Sequence, residues 1–273
     1  MWLDDLYHSL DPIALSLGPL VVRWYGLAYL FGFLAAGVVM ARVARRWHID
    51  LGSEDIVTLV TGMACGVLVG ARLGYVLFYG KGYYLAHPLA ILSLGEGGIR
   101  GMSFHGGLVG AVIGTYLANR SLGHSFATIC DLVAIGAPIG LFLGRCANFV
   151  NGELWGKPTT LPWGVMFDDA GGGAVYRHPS QLYEALLEGV LMFCILYLLS
   201  RKVPPRPQGT FLGAFLALYG CLRFLVEFVR LPDEHMGYLA WGWLTMGQAL
   251  SLPLAAAGAL ALLVAKRRGV AQH

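Results

Sequence analysis

The chain of 273 residues is 57% hydrophobic and only 13% charged, whereas a soluble globular protein carries about 25% charged residues. It is short of the polar surface a water-facing fold needs, so a soluble domain is excluded and several membrane spans best explain a mean hydropathy of +0.64. A formal net charge of +3 is small; it gives no reason to expect a nucleic-acid partner, and its placement matters more than its size.

The first residues carry Asp4, Asp5 and Asp11 ahead of any apolar run. A secretory signal would be basic there, so no cleaved signal peptide is expected. A span needs roughly 17–25 apolar residues. Seven runs approach that length: about Leu20–Met40, Ile56–Phe78, Phe104–Leu117, Ala127–Leu143, Leu182–Ser200, Phe211–Val229 and Trp243–Ala265. The third is short and can extend towards Gly98. Basic clusters follow the first run (Arg42, Arg45, Arg46), the third (Arg120), the fifth (Arg201, Lys202, Arg206) and the seventh (Lys266, Arg267, Arg268). With seven spans all four clusters share one side, which the positive-inside rule makes cytoplasmic. The expectation is an all-α integral membrane protein of about seven transmembrane helices, N-terminus outside (periplasmic) and C-terminus cytoplasmic. The polar segments 80–103, 150–180 and 230–241 are then external loops. No segment is long enough for a separate soluble domain, so residues 1–273 read as a single polytopic membrane domain.

Glycine sets the expected packing. Gly62, Gly66, Gly70 and Gly74, then Gly106, Gly110 and Gly114, then Gly136, Gly140 and Gly144 recur every four residues, each set on one helix face where backbones can approach closely. Pro138 and Pro253 interrupt the fourth and seventh runs and are candidates to kink them. Five cysteines (65, 130, 146, 194 and 221) form no CxxC pair and read as small packing residues, with no disulfide or metal role.

The polar residues inside apolar runs are harder to dismiss. The fourth run ends in Gly-Arg-Cys-Ala-Asn-Phe-Val-Asn-Gly-Glu-Leu-Trp-Gly (144–156), which gathers Arg145, Asn148, Asn151 and Glu153 where hydrocarbon meets headgroups. Each is costly there and calls for a partner or a task. Tyr219, Arg223 and Glu227 stand at i, i+4 and i+8 on the sixth run; Arg223 and Glu227 either neutralise each other or mark a site. Arg72 is a further inward-facing candidate. Arg23 and Arg230, at helix ends, can snorkel and need no function. Asp131 reads as an acid at the N-terminus of its own helix. His105, between Phe104 and Gly106-Gly107, is either structural or a proton acceptor beside a close-approach surface. In His178-Pro179-Ser180-Gln181, Ser180 is a candidate cap. Arginines facing an outer-leaflet cavity suit a phosphate, and phospholipids are the abundant phosphate carriers of a membrane. No phosphate-binding glycine loop, HExxH or GxSxG is present. A phospholipid-handling enzyme without metal, nucleotide or other cofactor fits best. A transporter would also place charges at depth, and a purely structural protein would use Arg223–Glu227 to pin helices.

Residues 144–156 resemble the signature of the prolipoprotein diacylglyceryl transferase family through Gly144, Arg145, Asn148, Phe149, Asn151, Glu153 and Gly156. Trp24–Gly26, Gly70–Arg72, Ser103–Gly107, His178–Glu184, Tyr219–Arg230 and Met246–Gln248 resemble further blocks of that family, in its order. The resemblance implies a bacterial inner-membrane enzyme that moves the diacylglyceryl group of phosphatidylglycerol to the lipobox cysteine of a preprolipoprotein signal peptide. A thioether forms and glycerol 1-phosphate leaves, the first step of lipoprotein maturation. It further implies that Arg145 binds the phosphatidylglycerol headgroup with Asn148, Asn151, Gly156, Arg72 and Tyr219. Arg223, oriented by Glu227, would stabilise the leaving phosphate. His105 would be the base for the thiol, with Tyr25 or Glu153 sharing or replacing it.

Overall fold

The structure, a computed structural model, describes residues 1–18, 20–80, 82–91, 101–232 and 237–272. Residues 81 and 92–100 of the expected loop 80–103, the suggested extension towards Gly98, and residues 233–236 of the loop 230–241 lie outside the described residues. In chain order the helices are α1 (Trp2–His8), α2 (Trp24–Arg46), α3 (Ser53–Tyr79), α4 (Tyr83–Ala86), α5 (Phe104–Leu122), α6 (Phe126–Val150), α7 (Ser180–Glu184), α8 (Met192–Leu199), α9 (Thr210–Val226) and α10 (Met246–Arg268). A π-wound stretch, Ala185–Leu191, joins α7 to α8, so Ser180–Leu199 is one continuous rod. Three short antiparallel hairpins complete the fold: β1 (Ile13–Leu17) with β2 (Leu20–Arg23), β3 (Val165–Met166) with β4 (Tyr176–Arg177), and β5 (Tyr238–Ala240) with β6 (Leu244–Thr245).

Five helical rods are long and apolar enough to cross a membrane: Trp24–Arg46, Ser53–Tyr79, Phe126–Val150, Ser180–Leu199 and Met246–Arg268. The chain is therefore a multi-pass membrane protein. The expected third and sixth runs are also helical, as the 19-residue α5 and the 17-residue α9.

The run boundaries differ where local chemistry outweighs hydropathy. Residues 20–23 pair as β2 instead of opening the first helix, because Gly18 at φ +60° turns the chain and the β-branched Val21 and Val22 suit a strand. Residues 243–245 close the β5–β6 hairpin, and α10 starts only at Met246. A capping box sets that start: the Thr245 hydroxyl accepts the Gln248 amide and the Gln248 side chain accepts the Thr245 amide. In the other direction, α6 stays helical to Val150, so Arg145 and Asn148 sit within the helix and not beyond its end. Pro138 and Pro253 lie inside unbroken helices.

The chain forms two compact units, one of residues Asp50–Ile129 and one of Met1–Ile49 with Cys130–Gln272. In the first of these the glycine reading holds. A Cβ added to Gly70 would lie 2.7 Å from the Gly110 Cα, and one on Gly74 would lie 2.9 Å from the Gly106 Cα. Helices α3 and α5 thus touch backbone to backbone, the close approach that substitutes for a hydrophobic driving force in lipid. Ser103 caps α5 by accepting the Gly106 amide at 3.3 Å.

In the larger unit the third glycine set is borne out at two of its three positions. A Cβ on Gly136 would lie 3.0 Å from the Ala36 Cα, and one on Gly32 would lie 3.1 Å from the Gly140 Cα, so α2 and α6 approach closely, while a Cβ on Gly144 would meet nothing within 4 Å. A further close contact joins α9 and α10, where a Gly258 Cβ would fall 2.7 Å from the Gly213 carbonyl. Asp131, fully buried, does not cap its own helix. It accepts the amides of Gly209 and Leu212, each at 2.8 Å, and the Gln272 side chain at 2.6 Å, so it caps α9 from across the bundle. The cysteines are free, and Cys65, Cys194 and Cys221 are exposed on apolar helices, so those three pack no interior.

Helix α1 seats the loop after α6. Leu3 and Tyr7 form a small core with Phe149, Val165 and Phe167, the Tyr7 and Phe167 rings standing 4.8 Å apart edge to face. Asp4 accepts the Met166 amide at 2.7 Å, and the Tyr7 hydroxyl donates to Asp169 at 2.6 Å. Residues 151–179 are therefore a structured segment that returns the chain to α7.

Candidate functional site: a buried arginine–glutamate cluster

The signature segment folds back on itself around Glu153. The Glu153 amide donates to the Asn148 carbonyl at 2.9 Å, a return made possible by Gly152 at φ +65°. Its carboxylate accepts the Asn148 side-chain amide at 3.0 Å and the Asn151 amide at 3.4 Å. Asn148 is buried and offers its oxygen to Arg145 Nη1 at 3.5 Å. Gly156 lies where no side chain fits: a Cβ there would be 2.6 Å from the Val229 carbonyl and 2.7 Å from the His178 Cβ. Its backbone joins the strand-like pieces around Arg230 and His178.

Arg145 is 17% exposed and faces two carboxylates that are 0% exposed. Its Nε lies 2.6 Å from Glu184 Oε2, and its Nη2 lies 3.7 Å from Glu188. Arg223 approaches the same Glu184 from α9, Nη1 to Oε1 at 3.0 Å, and gives its Nη2 to Glu227. Arg230 adds a third guanidinium, 3.5 Å from Glu184 Oε1 and 4.0 Å from Glu227. Glu227 is held in turn by the Thr245 hydroxyl at 2.6 Å and is pressed against Gly247, where a Cβ would lie 2.5 Å from its carboxyl carbon. Three arginines and three glutamates balance in formal charge, which makes so buried a cluster tolerable.

Of the expected residues, Arg145, Asn148, Asn151, Glu153, Arg223 and Glu227 come together in this unit. Tyr219 is half-buried and within electrostatic reach of Arg145, Arg223, Glu184 and Glu188. Tyr25 is half-buried in the first turn of α2, its hydroxyl 3.5 Å from that of Tyr29, a residue that interacts electrostatically with Arg145 and Glu153. His105 and Arg72 belong to the unit of residues Asp50–Ile129. His105 is exposed in the first turn of α5. Arg72 is buried and donates to the carbonyls of Ile91 and Ala90 at 2.8 Å and of Gly101 at 3.2 Å, with its guanidinium over the Tyr84 ring.

Three corrections follow. Arg230 does not snorkel; it is 8% exposed and part of the cluster, because Glu184 and Glu227 draw it inward. Ser180 does not cap its helix, since its hydroxyl donates to the Leu154 carbonyl at 2.8 Å. Glu184 and Glu188, absent from the expected site, are buried carboxylates of the cluster. They stand four residues apart within the fifth predicted run, and two acids in an apolar rod are themselves a signal. Beside the cluster, His178 hydrogen-bonds the Tyr183 hydroxyl at 3.2 Å, and burial together with Lys157 holds its imidazole below the usual histidine range.

Helical rods long and apolar enough to cross a membrane, with a buried and charge-balanced set of arginines and carboxylates, define a multi-pass membrane protein. Residues 12–264 match the family model described as Prolipoprotein diacylglyceryl transferase, and the chain belongs to that family. It is 47% identical over 266 residues to the phosphatidylglycerol--prolipoprotein diacylglyceryl transferase of Pseudomonas paraeruginosa, covering 97% of each chain. It is 52% identical over 248 residues to the protein of that name from Nitratidesulfovibrio vulgaris, covering 91% of this chain and 92% of the relative. A third, from Solidesulfovibrio magneticus, is 51% identical over 249 residues.

Proposed function

We propose that this chain transfers the diacylglyceryl group of phosphatidylglycerol to prolipoprotein, the first step of lipoprotein maturation, as the names of its relatives indicate. The acceptor is the thiol of a lipobox cysteine in the signal peptide. The glycerol carbon–oxygen bond to phosphate breaks, a carbon–sulfur bond forms, and glycerol 1-phosphate departs. The thiol must lose its proton to become a good nucleophile, and the departing phosphate needs fixed positive charge.

One observation carries the assignment of the headgroup. Arg145 pairs through its Nε with Glu184 at 2.6 Å, while among the described residues the contacts of its Nη edge are long, 3.5 Å to Asn148 and 3.7 Å to Glu188. That loosely held edge is the part of a guanidinium that grips a phosphate in two places. Both Nη atoms of Arg223 are already engaged by Glu184 and Glu227. Arg223 therefore stabilises the leaving phosphate chiefly by its charge, in an orientation fixed by Glu227. Asn148 and Asn151 orient the headgroup, Gly156 keeps the backbone close around it, and Tyr219 and Arg72 complete the binding set in this reading. His105 is the base for the thiol, with Tyr25 and Glu153 as the alternatives.

The reading includes seven spans, with α5 and α9 joining the five long rods, and a single polytopic domain in the bacterial inner membrane. The N-terminus is periplasmic and the C-terminus cytoplasmic. The grouping of the basic clusters after alternate spans supports this. Incubating the purified protein with phosphatidylglycerol and a lipobox peptide tests the activity. A diacylglyceryl mass gain on the peptide cysteine is expected. Lipid movement across vesicles with no such gain would establish a transporter instead.

A further inference from the structure

Among the described residues, Glu184 is the carboxylate that reaches all three guanidinium groups of the cluster. Glu188 meets Arg145, and Glu227 meets Arg223 and Arg230. The two oxygens of Glu184 divide the work: Oε2 takes Arg145 from its Nε side, and Oε1 takes Arg223 and stands near Arg230. Holding Arg145 by Nε turns its Nη edge away from the carboxylate. Because one rigid carboxylate spans both contacts, the separation of Arg145 and Arg223 is set by the width of that group. Without it, three like charges from α6, α9 and the segment after α9 would repel one another in a site that water screens poorly.

The backbone that carries Glu184 is itself tied to the signature loop. Ser180 donates to the Leu154 carbonyl and the Gln181 side-chain amide to the Glu153 carbonyl, so the first turn of α7 is fixed against residues 153–154. Glu184 is 0% exposed at the end of that turn.

We propose that Glu184 is a positioning residue for the transfer: it sets the spacing and orientation of Arg145 and Arg223, while its own charge competes with the substrate for theirs. The proposal rests on Arg145 holding the headgroup. It has a two-part consequence. Removing the charge of Glu184 loosens the arginines, which lowers turnover, yet leaves the cluster one unit more positive, which tightens binding of an anionic lipid. A merely structural lesion lowers the active fraction and does not tighten binding.

The test is steady-state transfer by wild type, Glu184→Gln and Glu184→Asp in detergent micelles containing phosphatidylglycerol and a lipobox peptide. For Glu184→Gln, kcat is expected to fall at least about tenfold while KM for phosphatidylglycerol falls about threefold or more. Glu184→Asp keeps the charge but draws it back by one methylene, so kcat falls with KM within about twofold of wild type. Unchanged kcat in Glu184→Gln, or a fall in kcat with KM unchanged or raised, overturns the proposal. If Glu184→Gln does not fold, Glu184→Asp decides, with turnover counted per folded molecule and the folded fraction measured by thermal unfolding in the same detergent: wild-type turnover per folded molecule overturns the proposal, and reduced turnover per folded molecule at unchanged KM upholds it. Wild-type protein that binds the lipid but transfers nothing overturns the functional reading itself, and this proposal with it.

Discussion

Replacing Arg145 by lysine separates charge from shape at the centre of the cluster. The guanidinium uses two sides at once, Nε towards Glu184 at 2.6 Å and the Nη edge towards the space beside Asn148. An ammonium carries its three donors on one nitrogen, so it can touch both groups but cannot face the carboxylate with one side and grip the phosphate at two points with another. The positive charge survives, so the buried glutamates remain neutralised and the fold is expected to persist. The loss is about one charged hydrogen bond to the substrate, about 1.5–3 kcal/mol. At 1.36 kcal/mol per factor of ten, that is an about 10- to 150-fold fall in kcat/KM. Arg145→Ala is the harsher companion: it leaves Glu184 Oε2 without its arginine and should destabilise the protein by about 3–5 kcal/mol. The assay is initial-rate transfer to a lipobox peptide, followed by mass, with thermal unfolding in the same detergent as the folding control. An Arg145→Lys variant within about threefold of wild-type kcat/KM would refute the assignment of the headgroup to that edge.

Asp131→Asn should lower the unfolding midpoint, because an amide nitrogen must then face one of the donors that the carboxylate now accepts, at a loss of about 2–3 kcal/mol. Turnover per folded molecule should not change, and an unchanged midpoint would dismiss Asp131 as the cap of α9. Gly110→Ala places a methyl 2.9 Å from the Gly70 Cα, and forcing α3 and α5 apart should destabilise by about 1–3 kcal/mol. Equal stability in detergent unfolding would argue against the backbone contact. At the N-terminal helix, the hydrogen bond from His8 to Asp168 at 3.0 Å raises the imidazole above its ordinary value and lowers the carboxyl below its own. The His8 contribution is therefore complete below about pH 6.5 and is lost as pH rises through the raised value, whereas the Asp168 contribution is lost in acid. Corrected amide exchange over residues 2–8 should be slower at about pH 6 than at about pH 9, and His8→Gln should abolish the difference. A pH effect of equal size in the variant would remove His8 as its cause.

Hydropathy located the long rods among the described residues, and the four-residue glycine spacing found the close-approach faces of α3 and α5, because both signals are local and periodic. Their edges were misjudged where a short-range interaction intervenes. The Gly18 turn takes residues 20–23 into a hairpin, and the Thr245–Gln248 box delays α10. The third glycine set holds for two of its three members. Gly136 and Gly140 meet α2 at Ala36 and Gly32, whereas Gly144 meets no neighbour, because spacing defines a face but not how far the neighbour follows it. At the site, Arg223–Glu227 was readable from its i, i+4 separation, and the result is a pair shared with Arg230, Glu184 and Thr245. Arg230 is three residues from Glu227, but Thr245 and Glu184 are 18 and 43 residues away, and no local pattern announces those two. Asp131 makes the same point, since its acceptors' partners lie on α9 and at Gln272.

The π-wound stretch has a consequence for which sequence lengths this fold accepts. An α-helix advances about 100° per residue, and a π turn houses one residue more than regular winding would. Ala185–Leu191 thus joins two registers: upstream, Glu184 meets the arginines, and downstream, Met192 and Leu196 are fully buried. Only a chain one residue shorter could be straight here and keep both registers; regular α winding of the same residues would rotate one half by about 100° against the other. Either the carboxylate would swing away from Arg145 or the apolar side chains would turn out of the bundle. The stretch is a place where length, more than residue identity, is constrained.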